Sequence, residues 1–91
     1  MSIDELPGIT ELLLFPNPVN DQLGVRLHAA DGQTLSLHVL DMNGAVVRDL
    51  STWTVTGTTH RTWDISDLAS GSYLLSIADE RANKTIGFVK P

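Results

Sequence analysis

Hydrophobic and polar residues alternate with a period of two along most of this chain, and a helical period is nearly absent. Leu23, Val25 and Leu27 alternate with Gly24, Arg26 and His28, and Leu35, Leu37 and Val39 alternate with Ser36 and His38. Further on, Trp63 and Ile65 bracket Asp64, Tyr73, Leu75 and Ile77 flank Leu74 and Ser76, and Ile86 and Phe88 flank Gly87. Successive strand side chains point to opposite faces, so this alternation predicts antiparallel strands with one face on a core and one in water. Turn residues separate the runs at 16–21, 30–32, 41–44, 56–58, 66–72 and 79–83. The strands expected are 10–15, 22–29, 34–41, 45–50, 52–64 (with a break near Gly57), 73–79 and 84–90. This spacing predicts an all-β fold, a seven-stranded antiparallel immunoglobulin-like β-sandwich without the cysteine pair of antibody domains.

Three local patterns can be read further. Leu14-Phe15-Pro16-Asn17-Pro18 is an apolar strand running into a turn that two prolines lock, each fixing its own φ and restricting its predecessor. In Asp41-Met42-Asn43-Gly44, Asp suits the start of a type I turn and Gly accepts the left-handed position, which predicts a hairpin with a bulge. In Ser66–Tyr73, Ser66 or Asp67 is expected to cap one helical turn, and Gly71 to release the chain into the strand that Tyr73 leads. Leu68 has too few apolar neighbours to belong to a strand and reads as a plug over one end of the core.

Ninety-one residues make one small domain, expected over 9–91, with 1–8 as a linker remnant. With 42% hydrophobic residues the chain can build one ordinary core, so disorder is not expected. There are no cysteines, hence neither disulfides nor thiolate metal sites, and the redox compartment stays open. The net charge of −5 would repel a phosphate backbone and argues against nucleic-acid binding. No run reaches the roughly 20 apolar residues of a membrane-spanning helix. The N-terminus lacks a basic region followed by an apolar segment, so no signal peptide is read there. A cytosolic protein, or a fragment whose targeting signal lies elsewhere, would fit that pattern.

Candidate chemistry is sparse. Nucleophilic catalysis needs a nucleophile, a base and an orienting group in a cleft, and no Gly-x-Ser-x-Gly elbow is present. His28 and His38 fall on polar strand positions, and nothing in the spacing of these with His60 requires a zinc site. Asp41–Gly44 resembles part of a calcium loop, but Val46, Val47 and Arg48 stand where further oxygen ligands belong. Asp64 and Asp67 are explained equally well by turn and capping roles. No cofactor or metal is expected. Trp53 and Trp63 would suit sugar stacking, yet they share faces with Val55 and Ile65 and read as core. Asn83-Lys84-Thr85 matches a glycosylation sequon without a eukaryotic secretory signal to support it.

Taken together, Phe15-Pro16-Asn17-Pro18, Asp41-Met42-Asn43-Gly44, Leu68-Ala69-Ser70-Gly71-Ser72-Tyr73 and a terminal strand ending Phe88-Val89-Lys90 resemble one family. It is the type A C-terminal sorting domain of the type IX (Por) secretion system, and the resemblance covers about residues 10 to 91. The chain departs from the pattern at Gly87, where a polar or basic residue is expected, and by ending on Pro91. The resemblance implies an address label at the end of a larger exported cargo, with no catalytic residues of its own. It implies passage through the periplasm, recognition by an outer-membrane translocon and its shuttle barrel, and removal at the cell surface by a sortase-like protease. Mapped by position, Pro16, Asn17, Pro18, Gly44, Leu68, Gly71, Tyr73 and Lys90 match family motif residues. Phe88, Val89 and Lys90 are expected on the surface that the translocon reads, and the segment 4–8 is expected to be the cleavable junction. The rival reading is a carbohydrate-binding module of a secreted glycosidase, which would use Trp53 at its surface.

Overall fold

A computed structural model describes residues 8–15, 21–80 and 82–91. They form five strands: β1 (Ile9–Phe15), β2 (Gln22–Leu40), β3 (Val46–Asp64), β4 (Gly71–Ala78) and β5 (Asn83–Lys90). All pairings are antiparallel and join the strands in one sheet: β1 pairs the first half of β2 and β4 its second half, β3 pairs β2 from end to end, and β5 pairs β4. The all-β, antiparallel expectation holds. The count of seven does not, because two expected pairs fuse: 22–29 with 34–41, and 45–50 with 52–64.

The fusion has a physical reason. Asp31-Gly32 reads as a turn, but here it extends a bulge in which residues 30–32 of β2 lie opposite Thr56 alone. Gly57, at φ +68°, bends β3 at the same level. A second bulge sets Leu50 and Ser51 against Leu37, with Ser51 at φ +67° and its amide donating to Asp49 Oδ1 at 2.7 Å. Each bulge sharpens a strand without ending its ladder. A straight strand of nineteen residues would be roughly 60 Å long, whereas the molecule measures 35 × 26 × 21 Å. Both long strands therefore curl.

The curl brings the two halves of β3 face to face. Trp53 and Trp63, ten positions apart, meet edge to face with centroids 5.6 Å apart and planes at 87°. Around them lie Leu23, Val25, Leu27, Leu35, Leu37, Val39, Ile65, Leu75 and Ile77, all at or near zero exposure. Both tryptophans thus pack inward as the alternation predicts, Trp53 buried and Trp63 half-buried. On the opposite, water-facing side are His28, His38 and His60. His28 Nδ1 lies 2.9 Å from Thr58 Oγ1, and His38 Nε2 lies 3.7 Å from Asp49.

Of the three connections between β2, β3, β4 and β5, two follow the turns read from the sequence. At Asp41–Gly44 the Gly44 amide donates to Asp41 O at 3.0 Å, and Asp41 Oδ1 accepts the amides of Asn43 and Ala45. Gly44 sits at φ +86° and joins β2 to β3. Between β4 and β5, Asp79 accepts the Ala82 amide on its side chain and returns its own amide to Ala82 O. The helical turn expected after Ser66 is instead one hydrogen-bonded turn, Leu68 N to Ile65 O. Asp64 supplies the cap assigned above to Ser66 or Asp67, accepting the Ser66 amide at 2.9 Å.

Candidate functional site

The motif segments that lie within the described residues gather at one end of the sheet. β5 pairs with β4 in the register Gly71↔Lys90, Tyr73↔Phe88 and Leu75↔Ile86. The rings of Tyr73 and Phe88 therefore stack, 5.7 Å apart at 26°. Met42, from the Asp41–Gly44 turn, lines a groove of about 310 Å³ with Ser72, Tyr73, Leu74, Gly87, Phe88 and Val89. The start of β2 joins the same end, since Asp21 O accepts the Ile65 amide at 2.8 Å. Pro16, Asn17 and Pro18 lie outside the described residues, as does most of the 4–8 junction.

Between β3 and β4 runs the loop Ile65–Ser70, which is held on three sides. Leu68 is half-buried against the core, in the plug position its sequence context implies. The Tyr73 hydroxyl donates to Ala69 O at 2.5 Å. From β5, Lys90 Nζ donates to Leu68 O at 2.6 Å and lies 3.4 Å from Ser66 O. Arg48, on β3, donates to Asp64 O at 3.1 Å and pairs with the Asp67 carboxylate.

The electrostatics are local. Asp64 is held below the ordinary carboxylate range first by the Ser66 amide and hydroxyl, then by the charges of Arg48 and Lys90. Asp67 is held down chiefly by its hydrogen bond from Arg48. Both carboxylates are exposed, so each shift reports partners in water rather than a low-dielectric site. Among the described residues no group of three or more His, Asp or Glu is placed to hold a metal ion. No helix among them is long and apolar enough to cross a membrane.

The positions singled out from the sequence divide by exposure. Val89 is 53% exposed and Gly44 and Gly71 are at the surface, while Phe88, Tyr73 and Lys90 are buried. β5 pairs only with β4 among the described strands, so its outer edge is open. Sequence reasoning missed Arg48 and the inward course of Lys90. The signal for Lys90 was present, because the alternation that puts Ile86 and Phe88 inside puts position 90 inside too.

The site is thus a rigid, hydrogen-bonded end of a small antiparallel β domain that offers surface and a sheet edge. No curated protein matches the chain in sequence. Among solved structures, a β-glucosidase from Erythrobacter marinus contains a similar fold, with a TM-score of 0.62 at 10% identity. The match covers 92% of this chain and 15% of that one, so the chain spans a small part of that protein's length. At such identity the likeness concerns the fold alone. The family of secretion system C-terminal sorting domains matches residues 13–90, nearly the whole chain, and the chain belongs to it. It is accordingly a C-terminal sorting signal of type IX secretion, a non-catalytic kind of domain that works with the secretion machinery in export to the cell surface or beyond.

Proposed function

We propose that residues 9–91 act as a folded label that carries an N-terminally attached cargo across the outer membrane. The cargo enters the periplasm by an ordinary signal peptide, and the outer-membrane translocon with its shuttle barrel then reads the domain. A sortase-like protease at the surface cuts the segment around residues 4–8, leaving 1–8 as linker. The label presents itself as an immunoglobulin-like sandwich, made by the curl of the long strands rather than by seven separate ones. The translocon reads Pro16, Asn17, Pro18, Gly44, Leu68, Gly71, Tyr73, Phe88, Val89 and Lys90.

The observation that supports this reading is convergence. Segments around residues 42, 68, 73 and 88–90, distant in sequence, meet at one end beside an open strand edge. An open edge gives a partner a row of backbone groups to pair with or grip. Fusing the chain to a reporter that has its own signal peptide, in a type IX-competent host, tests the proposal. Surface export should be lost on deleting 86–91 while circular dichroism still reports strand structure. Unchanged export from that deletion would refute the assignment of the terminal strand. N-terminal sequencing of released domain should place the cut near residues 4–8, and a cut inside 20–80 would exclude that junction.

A further inference from the structure

Lys90 is the charged side chain buried among the described residues, at 8% exposure, and although its charge is felt by Asp64 it forms no close ion pair among them. The ion pairs among those residues are Arg26–Glu11 and Arg48–Asp67, and the His38 ring lies 3.7 Å from Asp49. The ammonium is spent on backbone instead, at 2.6 Å from Leu68 O and 3.4 Å from Ser66 O. With Tyr73 donating to Ala69 O, three carbonyls of one short loop turn inward onto side chains of two neighbouring strands. That inward turn leaves Ser66, Asp67, Ala69 and Ser70 facing solvent in a fixed arrangement. A cation so enclosed is a poor mark for a partner to read directly, but it determines the shape of everything bonded to it.

The geometry points to Lys90 as a positioning residue: it acts on sorting through the Ile65–Ser70 loop, whose outward side chains form the surface the secretion machinery contacts. This rests on the reading above that the machinery contacts this end of the domain. One consequence concerns folding. Lys90 stands 22 residues after Leu68, on the last strand, so the loop takes its final shape only when β5 has docked. The contact surface therefore exists only on a completed domain, which makes the label a report of finished folding.

The test uses the whole chain fused to a reporter with a signal peptide, in four variants: Lys90→Met, Tyr73→Phe, their combination, and Ile77→Val. Ile77→Val trims the buried far end of β4, opposite Lys84, and serves as a stability control away from the loop. For each, the urea midpoint, the exchange rates of the Ser66 and Leu68 amides and the surface-exported fraction are measured. Lys90→Met and Tyr73→Phe should each speed exchange at Leu68 roughly tenfold, the scale of one lost hydrogen bond to an organised loop. Both should lower export, and the double variant should fall less than the product of the singles, because both act on one element. Ile77→Val should lower the urea midpoint and export normally.

If Tyr73→Phe loosens the loop yet exports like the parent while Lys90→Met fails, the ammonium is read directly and the inference is wrong. If Ile77→Val loses export in step with its midpoint, only global stability matters, and the inference is again wrong. Unchanged exchange and export in Lys90→Met would overturn it as well. Failure of the parent fusion to reach the surface is a separate outcome, and it would sink the underlying sorting proposal together with this one.

Discussion

Gly24 lies on the face of β2 turned away from the core, yet it is buried, because the ring of Phe15 lies across it from the neighbouring strand. A Cβ built on Gly24 would stand 2.5 Å from Phe15 Cζ and 2.7 Å from Cδ2, well inside van der Waals contact. Gly24 has no left-handed φ, so Gly24→Ala is a clash with one side chain and nothing else. Two responses are available. If the ring stays, overpacking costs about 1–3 kcal/mol. If it swings into water, the domain gives up cross-strand contact and part of the ring's burial, about 1–2 kcal/mol. The cheaper route sets the result, offset by roughly 0.5 kcal/mol because alanine restricts the unfolded chain. We expect Gly24→Ala to lower stability by about 1 kcal/mol, or roughly 4–8 °C in Tm for a domain of this size. In a Phe15→Ala background the clash is gone, and the same substitution should be neutral or stabilising by about 0.5 kcal/mol. Urea unfolding followed by the fluorescence of the Trp53–Trp63 pair measures all four corners of this cycle. Equal costs for Gly24→Ala in both backgrounds would refute the argument, since the penalty would then come from backbone and not from the ring.

Other expectations follow from the turns and charges. Gly44→Val should cost about 1–3 kcal/mol, from backbone alone, because φ is +86° and nothing lies within 4 Å of its Cβ position; Gly44→Asn should lose much less in the same unfolding assay. Ser51→Gly should gain up to about 1 kcal/mol, since a non-glycine residue at φ +67° is strained there, and a drop in urea midpoint would contradict that. The depressed carboxyls of Asp64 and Asp67 contribute stability that is present above their unfolded pKa and lost as pH falls through their folded values. In an NMR titration, Arg48→Ala should return Asp67 toward its ordinary value more than Asp64, whose main partner is the Ser66 amide. Equal movement of both would show that Arg48 acts as a diffuse charge and not through its bond to Asp67.

What was legible in the sequence was whatever depends on nearest neighbours. Period-two alternation assigned Leu23 to Leu27, Leu35 to Val39 and Tyr73 to Ile77 to the core face, and all are buried at their inward positions. Asp41–Gly44 announced its turn because a carboxylate and a glycine at those positions satisfy the backbone by themselves. Leu68 gave away its plug role by standing alone among polar residues.

Tertiary structure decided the rest. Alternation tells a strand which way its side chains point, but not whether the ladder continues past a bulge. At Asp31-Gly32 and Ser51 it continues, because β3 stays hydrogen-bonded to β2 on either side. That continuity turned seven expected strands into five and brought Trp53 onto Trp63. Likewise the need for glycine at position 24 comes from a ring nine residues away in sequence and one strand away in space. The carbonyls that hold Lys90 belong to a loop 22 to 24 residues earlier in the chain. Local chemistry selects faces and turns; which distant groups then meet is settled by chain closure, a global condition that no short window of residues contains.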